Sequence, residues 1–266
     1  TGLDLEMWVP ALQDVAGNKN ILSGAVGYVS ASKGCNLVDI PKIADRKEGG
    51  VHLFGNPHLY NSPVAQRQIA RNIAAGLGKV DPAGKEIYKK NAKKFVARID
   101  KSLFGDELVK ILGGNKLAKL AEKGKLVAFL EKNDYKDKPL IDSLGGWMKK
   151  AMALRGKKVV AYHKNWAYFS KIFGFKVVEF MEPKPGIPPS PKHVKKVITT
   201  IKKQHIKVLI AATYYDQAKV EAVAEKSGVT PVVVGIAVKG QKGQGDVFKV
   251  TDNILDSMLA AMGEAG

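Results

Sequence analysis

Residues 157–262 constrain the fold most, because short apolar runs alternate there with helical patterns. Lys157-Lys158-Val159-Val160-Ala161-Tyr162 reads as a buried strand, and residues 166–173 read as a helix that Gly174 stops. Val177-Val178-Glu179-Phe180 is a second strand. Ser190-Pro191 has the form of an N-cap followed by proline at the first helical position, opening a helix that runs to about residue 204. A third strand over 208–212, a helix over 216–226 stopped by Gly228, a fourth strand over 231–236 and a last helix over 251–262 complete the series. Strands that alternate with helices demand right-handed crossovers and a parallel sheet covered on both faces.

The middle of the chain is helical. Asp81-Pro82 supplies an N-cap and a first position, and Tyr88, Ala92, Phe95, Val96, Ile99 and Leu103 recur at helical spacing. A helix over 83–103 would be about 30 Å long at about 1.5 Å per residue, enough to join two lobes. Residues 105–154 are rich in Lys and Leu and broken by Gly113-Gly114, Gly124 and Gly145-Gly146, which predicts several short helices. Toward the N-terminus, 3–16 reads as a helix, 20–25 and 37–40 as strands, 49–63 as a turn-rich loop and 65–77 as an amphipathic helix. Two strands are too few for a stable parallel sheet. The expected fold is therefore α/β, with two lobes, each a parallel sheet flanked by helices, joined by a long rigid helix, the N-terminal lobe incomplete. The expected division is 1–82, 83–155 and 156–266.

Composition narrows the chemistry. No apolar run is long enough to cross a bilayer. The single cysteine, Cys35, excludes an intrachain disulfide and a thiolate cluster, so a metal site would use His and carboxylate ligands. The net charge of +18 comes from 43 Lys and Arg against 25 Asp and Glu. The lysines are spread along helical faces without an accompanying nucleic-acid motif, so a solvated basic surface is expected rather than a nucleic-acid partner.

Five histidines are present. His163 follows the strand ending at Tyr162, and ligands of open α/β sheets bind beyond the carboxyl ends of strands. An imidazole there suits a borderline-soft cation; the alternative is a surface histidine in a βα loop. His58 sits in a loop bounded by Pro57 and Pro63, with His52 nearby as a second candidate; His193 and His205 fall on a Lys-rich helix and read as solvent-facing. The loops after the strands add Glu182, the pair Tyr214-Tyr215, and Asp246. Asp246 is a candidate carboxylate ligand or else a helix-capping aspartate. There is no phosphate-binding loop, nucleophile elbow or His-Glu-x-x-His helix.

In order along the chain, four segments resemble those of the ZnuA/TroA-like metal-binding proteins of ABC transporters. Gly2-Leu3-Asp4-Leu5-Glu6-Met7-Trp8 resembles the family's Gly-Leu-x-Leu-Glu-x-Trp stretch, and Asn56-Pro57-His58-Leu59-Tyr60-Asn61-Ser62-Pro63 its Asn-Pro-His motif. Tyr88-x-x-Asn91-Ala92-x-x-Phe95 resembles the start of its bridging helix, and Tyr162-His163-x-x-Trp166-x-Tyr168-Phe169 its His-x-x-aromatic-x-Tyr-Phe block. The resemblance implies a two-lobed protein with one ion in the cleft, held by His58, His163, Asp246 and a further histidine expected upstream of Thr1. It implies zinc, with manganese as the second choice, since imidazole suits zinc and hard oxygen suits manganese. It implies a monomer, periplasmic or extracellular and membrane-tethered, whose partner is an ABC permease and which makes and breaks no bond. The sequence departs from the pattern at Lys164, a cation beside a presumed ligand, and in residues 105–154, which read as an insertion. Two other readings compete: a metal-dependent hydrolase with a His/His/Asp site and Glu182 as its base, and a basic protein binding nucleic acid or an anionic surface.

Overall fold

The computed structural model describes residues 3, 6–40, 54–184 and 186–263. In chain order the helices and strands are α1 (Val9–Ala16), α2 (Pro63–Val80), α3 (Lys85–Phe104), α4 (Asp106–Leu112), α5 (Gly114–Glu122), α6 (Leu126–Glu131), β1 (Asp134–Tyr135), β2 (Lys138–Pro139), α7 (Gly146–Lys150), β3 (Lys158–Ala161), α8 (Ala167–Phe173), β4 (Lys176–Phe180), α9 (Pro191–Lys203), β5 (Val208–Ala212), α10 (Gln217–Ser227), β6 (Thr230–Val234) and α11 (Val247–Met262).

Four strands form a parallel sheet in the order β4-β3-β5-β6. Its two faces follow from the period-2 alternation of strand side chains. Val159, Ala161, Val208, Ile210, Ala212, Val232 and Val234 enter one core, with Phe169, Ile172 and Phe173 of α8 and Ile254, Leu255 and Met258 of α11. Val160, Tyr162, Leu209 and Ala211 point the other way, against Val197 and Ile201 of α9 and Val220 and Val223 of α10. Each face is covered by a pair of helices, so the strands read as continuous apolar runs. The expected α/β class with a parallel sheet flanked by helices is present. The chain leaves β3 toward β4 and returns to the opposite side as β5, which puts the switch in strand order between β3 and β5.

The long helix and its partner also appear where the periodicity predicted them. α2 begins at Ser62, whose side chain accepts from Ala65 N at 3.1 Å, with Pro63 at the first position. α3 buries its C-terminal half, Val96, Ile99, Leu103 and Phe104, and packs along α2. Buried Arg67 of α2 pairs with Asp100 of α3 at 2.6 Å and also donates to Asn115 of α5 at 2.7 Å.

Three expectations are corrected. Residues 20–25 and 37–40 form no strand among the described residues; Lys19–Ile21 is a 3-10 turn and 37–40 is irregular. Their apolar residues mimic a strand pattern, but no neighbouring strand offers a hydrogen-bonded ladder. The first helix begins at Val9 rather than residue 3, and the last at Val247 rather than 251, because Asp246 caps it earlier. Residues 105–154 hold, besides short helices, a two-stranded hairpin of β1 and β2.

Candidate metal centre

The switch point is where a parallel sheet opens a crevice, since the loops on either side of it part in opposite directions. Tyr162-His163 leaves β3 there, and Thr213-Tyr214-Tyr215 leaves β5. The 3-10 turn His58–Asn61 packs against both α8 and the 3-10 turn Lys164–Trp166 that follows His163. The rings of His58 and His163 thereby meet, with centroids 5.2 Å apart and planes at 71°. Two imidazoles sharing one tetrahedral zinc, at Zn–N distances of about 2.0–2.1 Å, have ring centres about 5 Å apart.

Asn56 organises the His58 side. Its Nδ2 donates to the Lys164 carbonyl at 2.9 Å and to Asp39 Oδ2 at 3.0 Å, which leaves Oδ1 as the acceptor. Oδ1 takes the His58 backbone N–H at 2.9 Å, closing an Asx turn, and His58 Nδ1 at 2.9 Å. An amide oxygen only accepts, so His58 Nδ1 carries the proton and Nε2 is its basic nitrogen. Gly55, at φ 105°, turns the chain into this loop, and a Cβ there would meet the Val38 carbonyl at 3.0 Å. Tyr168 of α8 donates its hydroxyl to the Asn56 carbonyl at 2.6 Å, and Asn61 donates to the Asn165 carbonyl at 3.1 Å. These bonds join the two histidine-bearing segments across more than 100 residues of sequence.

On the other side, His163 Nδ1 lies 2.5 Å from Glu182 Oε2, and both side chains are about nine-tenths buried. A carboxylate accepts from Nδ1–H, so Nε2 is the basic nitrogen of His163 as well. Phenols border the pair. Tyr215 lies 5.8 Å from the His163 ring and stacks on Tyr162 at 4.3 Å, while Tyr60 lies 6.0 Å from His58. Asn165 donates to the Tyr214 hydroxyl at 2.8 Å and accepts from Tyr215 at 3.3 Å. Burial first, and the neighbouring Tyr214 second, push the Tyr60 and Tyr215 hydroxyls well above the usual phenol range, so both remain neutral.

Asp246 is placed differently. Its Oδ1 caps α11 through Lys249 N at 2.8 Å, and its Oδ2 pairs with Arg98 of α3 at 3.1 Å. The Lys249 N–H first, and Arg98 after it, hold this carboxyl below the usual range. Among the described residues no three His, Cys, Asp or Glu side chains form a metal-holding group; His58 and His163 meet ring to ring, while Asp246 is engaged by Lys249 N and Arg98. His52 lies outside the described residues. Lys164 directs its ammonium toward the Phe180 ring, 6.0 Å from the centroid. His205 is exposed, as expected, but His193 is half-buried and donates from Nε2 to the Phe180 carbonyl at 2.8 Å. The Lys-rich pattern of α9 concealed that contact. Sequence reasoning also passed over Asn56 and Asn165. The Asn-Pro dipeptide before His58 was the available signal for the first; nothing local marks the second. Glu182, considered above as a hydrolytic base, spends its carboxylate on the end of His163 opposite Nε2.

Comparisons with known proteins bear on the family and the fold. A family model described as "Zinc-uptake complex component A periplasmic" matches residues 1–103 and 115–261. Residues 104–114 lie outside the matched spans. The high-affinity zinc uptake system protein ZnuA of Bacillus subtilis (strain 168) is 26% identical over 267 residues, covering 96% of this chain and 69% of that protein. The crystal structure of a ZnuA deletion mutant with zinc bound superposes with a TM-score of 0.65 at 18% identity, covering 100% of this chain and 77% of that one. The solute-binding protein FpvC of Pseudomonas aeruginosa, in complex with Mn2+, gives 0.59 at 22% identity, covering 100% and 78%. The last two likenesses speak to the fold. The family match spans nearly the whole described chain, including both histidine-bearing loops, and the chain belongs to the family of periplasmic zinc-uptake components.

Proposed function

We propose that this protein captures a divalent transition metal outside the cytoplasm, zinc first and manganese second, and hands it to the permease of an ABC transporter. The observation that carries the reading is the His58–His163 pair, each ring pinned through Nδ1 and the two centred 5.2 Å apart. Imidazole at both positions favours zinc over the harder manganese ion. The family is a transport component, and the reading assigns no catalytic residue; the hydrolase alternative loses its base to the His163 contact. Asp246 enters the proposal as a carboxylate recruited on loading, which requires it to exchange exposed Arg98 for the cation. The surface ion pair it would give up is worth about 0–1 kcal/mol. Residues 1–82 then supply the His58 side, 83–155 the connection and 156–266 the His163 side. We place the protein as a monomer without nucleic-acid contacts, in the periplasm or tethered to the outer face of a membrane.

Thermal melting with and without zinc tests the reading. Zinc should raise the melting temperature, and His58→Ala or His163→Ala should abolish the rise. An unchanged melting temperature across a zinc titration of the natural protein would overturn it.

A further inference from the structure

We infer that Glu182 is a positioning residue for the cargo ion: it orients the His163 ring, fixes its tautomer and supplies the negative charge that strengthens Nε2 as a donor. The inference rests on the metal-capture reading and specifies how the site gains affinity.

The Glu182 carboxylate is built into the sheet rather than carried on a free loop. Beyond the last residues of β3 and β4 the parallel ladder continues, with Met181 N donating to the Ala161 carbonyl at 2.9 Å and Glu182 N to the Tyr162 carbonyl at 2.9 Å. Glu182 and His163 are thus held by adjacent backbone positions of one ladder. From the α9 side, His193 fixes the same strand end by donating to the Phe180 carbonyl at 2.8 Å. Pro183 follows at once and stiffens the exit. Both partners are about nine-tenths buried, so little water competes for the 2.5 Å contact.

The chemistry of that contact decides its role. A carboxylate hydrogen-bonded to Nδ1 faces the end of the ring opposite Nε2, so it cannot also ligate an ion on Nε2. It holds the proton on Nδ1, which leaves the Nε2 lone pair as the ligating one. His58 Nδ1 bonds the Asn56 amide oxygen, and His163 Nδ1 bonds an anion. Two neutral imidazoles bring no charge to a divalent ion, and Glu182 offsets part of that deficit through the ring.

The test compares zinc affinity of the wild-type protein, Glu182→Gln, Glu182→Ala and the control Glu179→Gln, by competition with a chromophoric chelator. Glu179 lies on the same strand but pairs with surface Lys196 at 2.7 Å. Glutamine keeps an acceptor for Nδ1–H and removes only the charge. Wild-type affinity should fall about tenfold in Glu182→Gln and toward about a hundredfold in Glu182→Ala, with Glu179→Gln unchanged. Melting of the metal-free Glu182→Gln protein should match wild type, and its cobalt(II) complex should show a shifted visible absorption band. Wild-type affinity in a folded Glu182→Gln protein would overturn the inference while leaving capture intact. So would an affinity loss that merely tracks a lowered metal-free melting temperature. If the wild-type protein itself binds no zinc, the capture reading falls first.

Discussion

At the scale of single residues, Asn56 shows how much one amide can organise. It accepts from His58 twice and donates to the carbonyl of Lys164, the residue after His163. Asn56→Ala should therefore weaken zinc binding by about 10–100-fold, the range seen when an orienting partner of a ligand is removed; titration calorimetry reads it directly. Asp246 caps α11, and the proposed function adds a role as a ligand recruited on loading. As the N-cap of α11 it contributes about 1 kcal/mol, which Asp246→Ala should remove in denaturant unfolding of the metal-free protein. As a recruited ligand it predicts at least a tenfold affinity loss in Asp246→Asn, with Arg98→Ala binding zinc no more weakly than wild type. The pH dependence of the cap has a definite sign. Its folded pKa is depressed, so its stabilisation is fully present above the unfolded value, near pH 3.9, and disappears as pH falls through the lower folded value.

At the scale of elements, α2, α3 and α5 are tied by the buried pair of Arg67 and Asp100 with Asn115. Removing one buried partner strands the other's charge, so Arg67→Met should cost about 3–5 kcal/mol in denaturant unfolding. The double variant Arg67→Met/Asp100→Leu should recover most of that loss, because two matched apolar side chains need no partner. A contrasting junction joins α3 and α7 to α11. Arg98 sits 3.6 Å from the Phe248 ring centre, Phe248 packs edge-on against Phe95 at 5.7 Å, and Trp147 donates to Asp252 at 2.7 Å. That junction fastens the long helix to the sheet-bearing part through aromatic faces as well as charge.

At the scale of the whole molecule, the two imidazoles come from segments that precede and follow the long helix in sequence, so the proposed ion between them would act as a crosslink of the folded state. Zinc at about a hundred times its dissociation constant should stabilise the fold by about 2.7 kcal/mol, and the melting temperature should climb further with each decade of free zinc. Scanning fluorimetry across a zinc series, reversed with chelator, measures this. Capture needs no bond chemistry, and the neutral phenols around the histidines fit that role, since they line the crevice without adding charge.

The sequence by itself determined the elements whose pattern is local and repeated. The βα alternation from Lys158 to Val234, the α2 and α3 helices and the two loops that carry His58 and His163 were all legible, because period, caps and glycine stops act over a few residues. It misjudged residues 20–25 and 37–40, where an apolar run reads as a strand although a strand exists only with a partner to complete its ladder. Tertiary structure alone decided which loops meet. The strand order places the exits of β3 and β5 at one crevice, aligns Glu182 with His163 and lets Asn56 reach across to Lys164, while Asp246 turns to its own helix and Arg98. The physical reason is one of range: a helix cap or a glycine stop is settled within a turn of chain, whereas a hydrogen bond between residues a hundred positions apart depends on how every intervening layer packs.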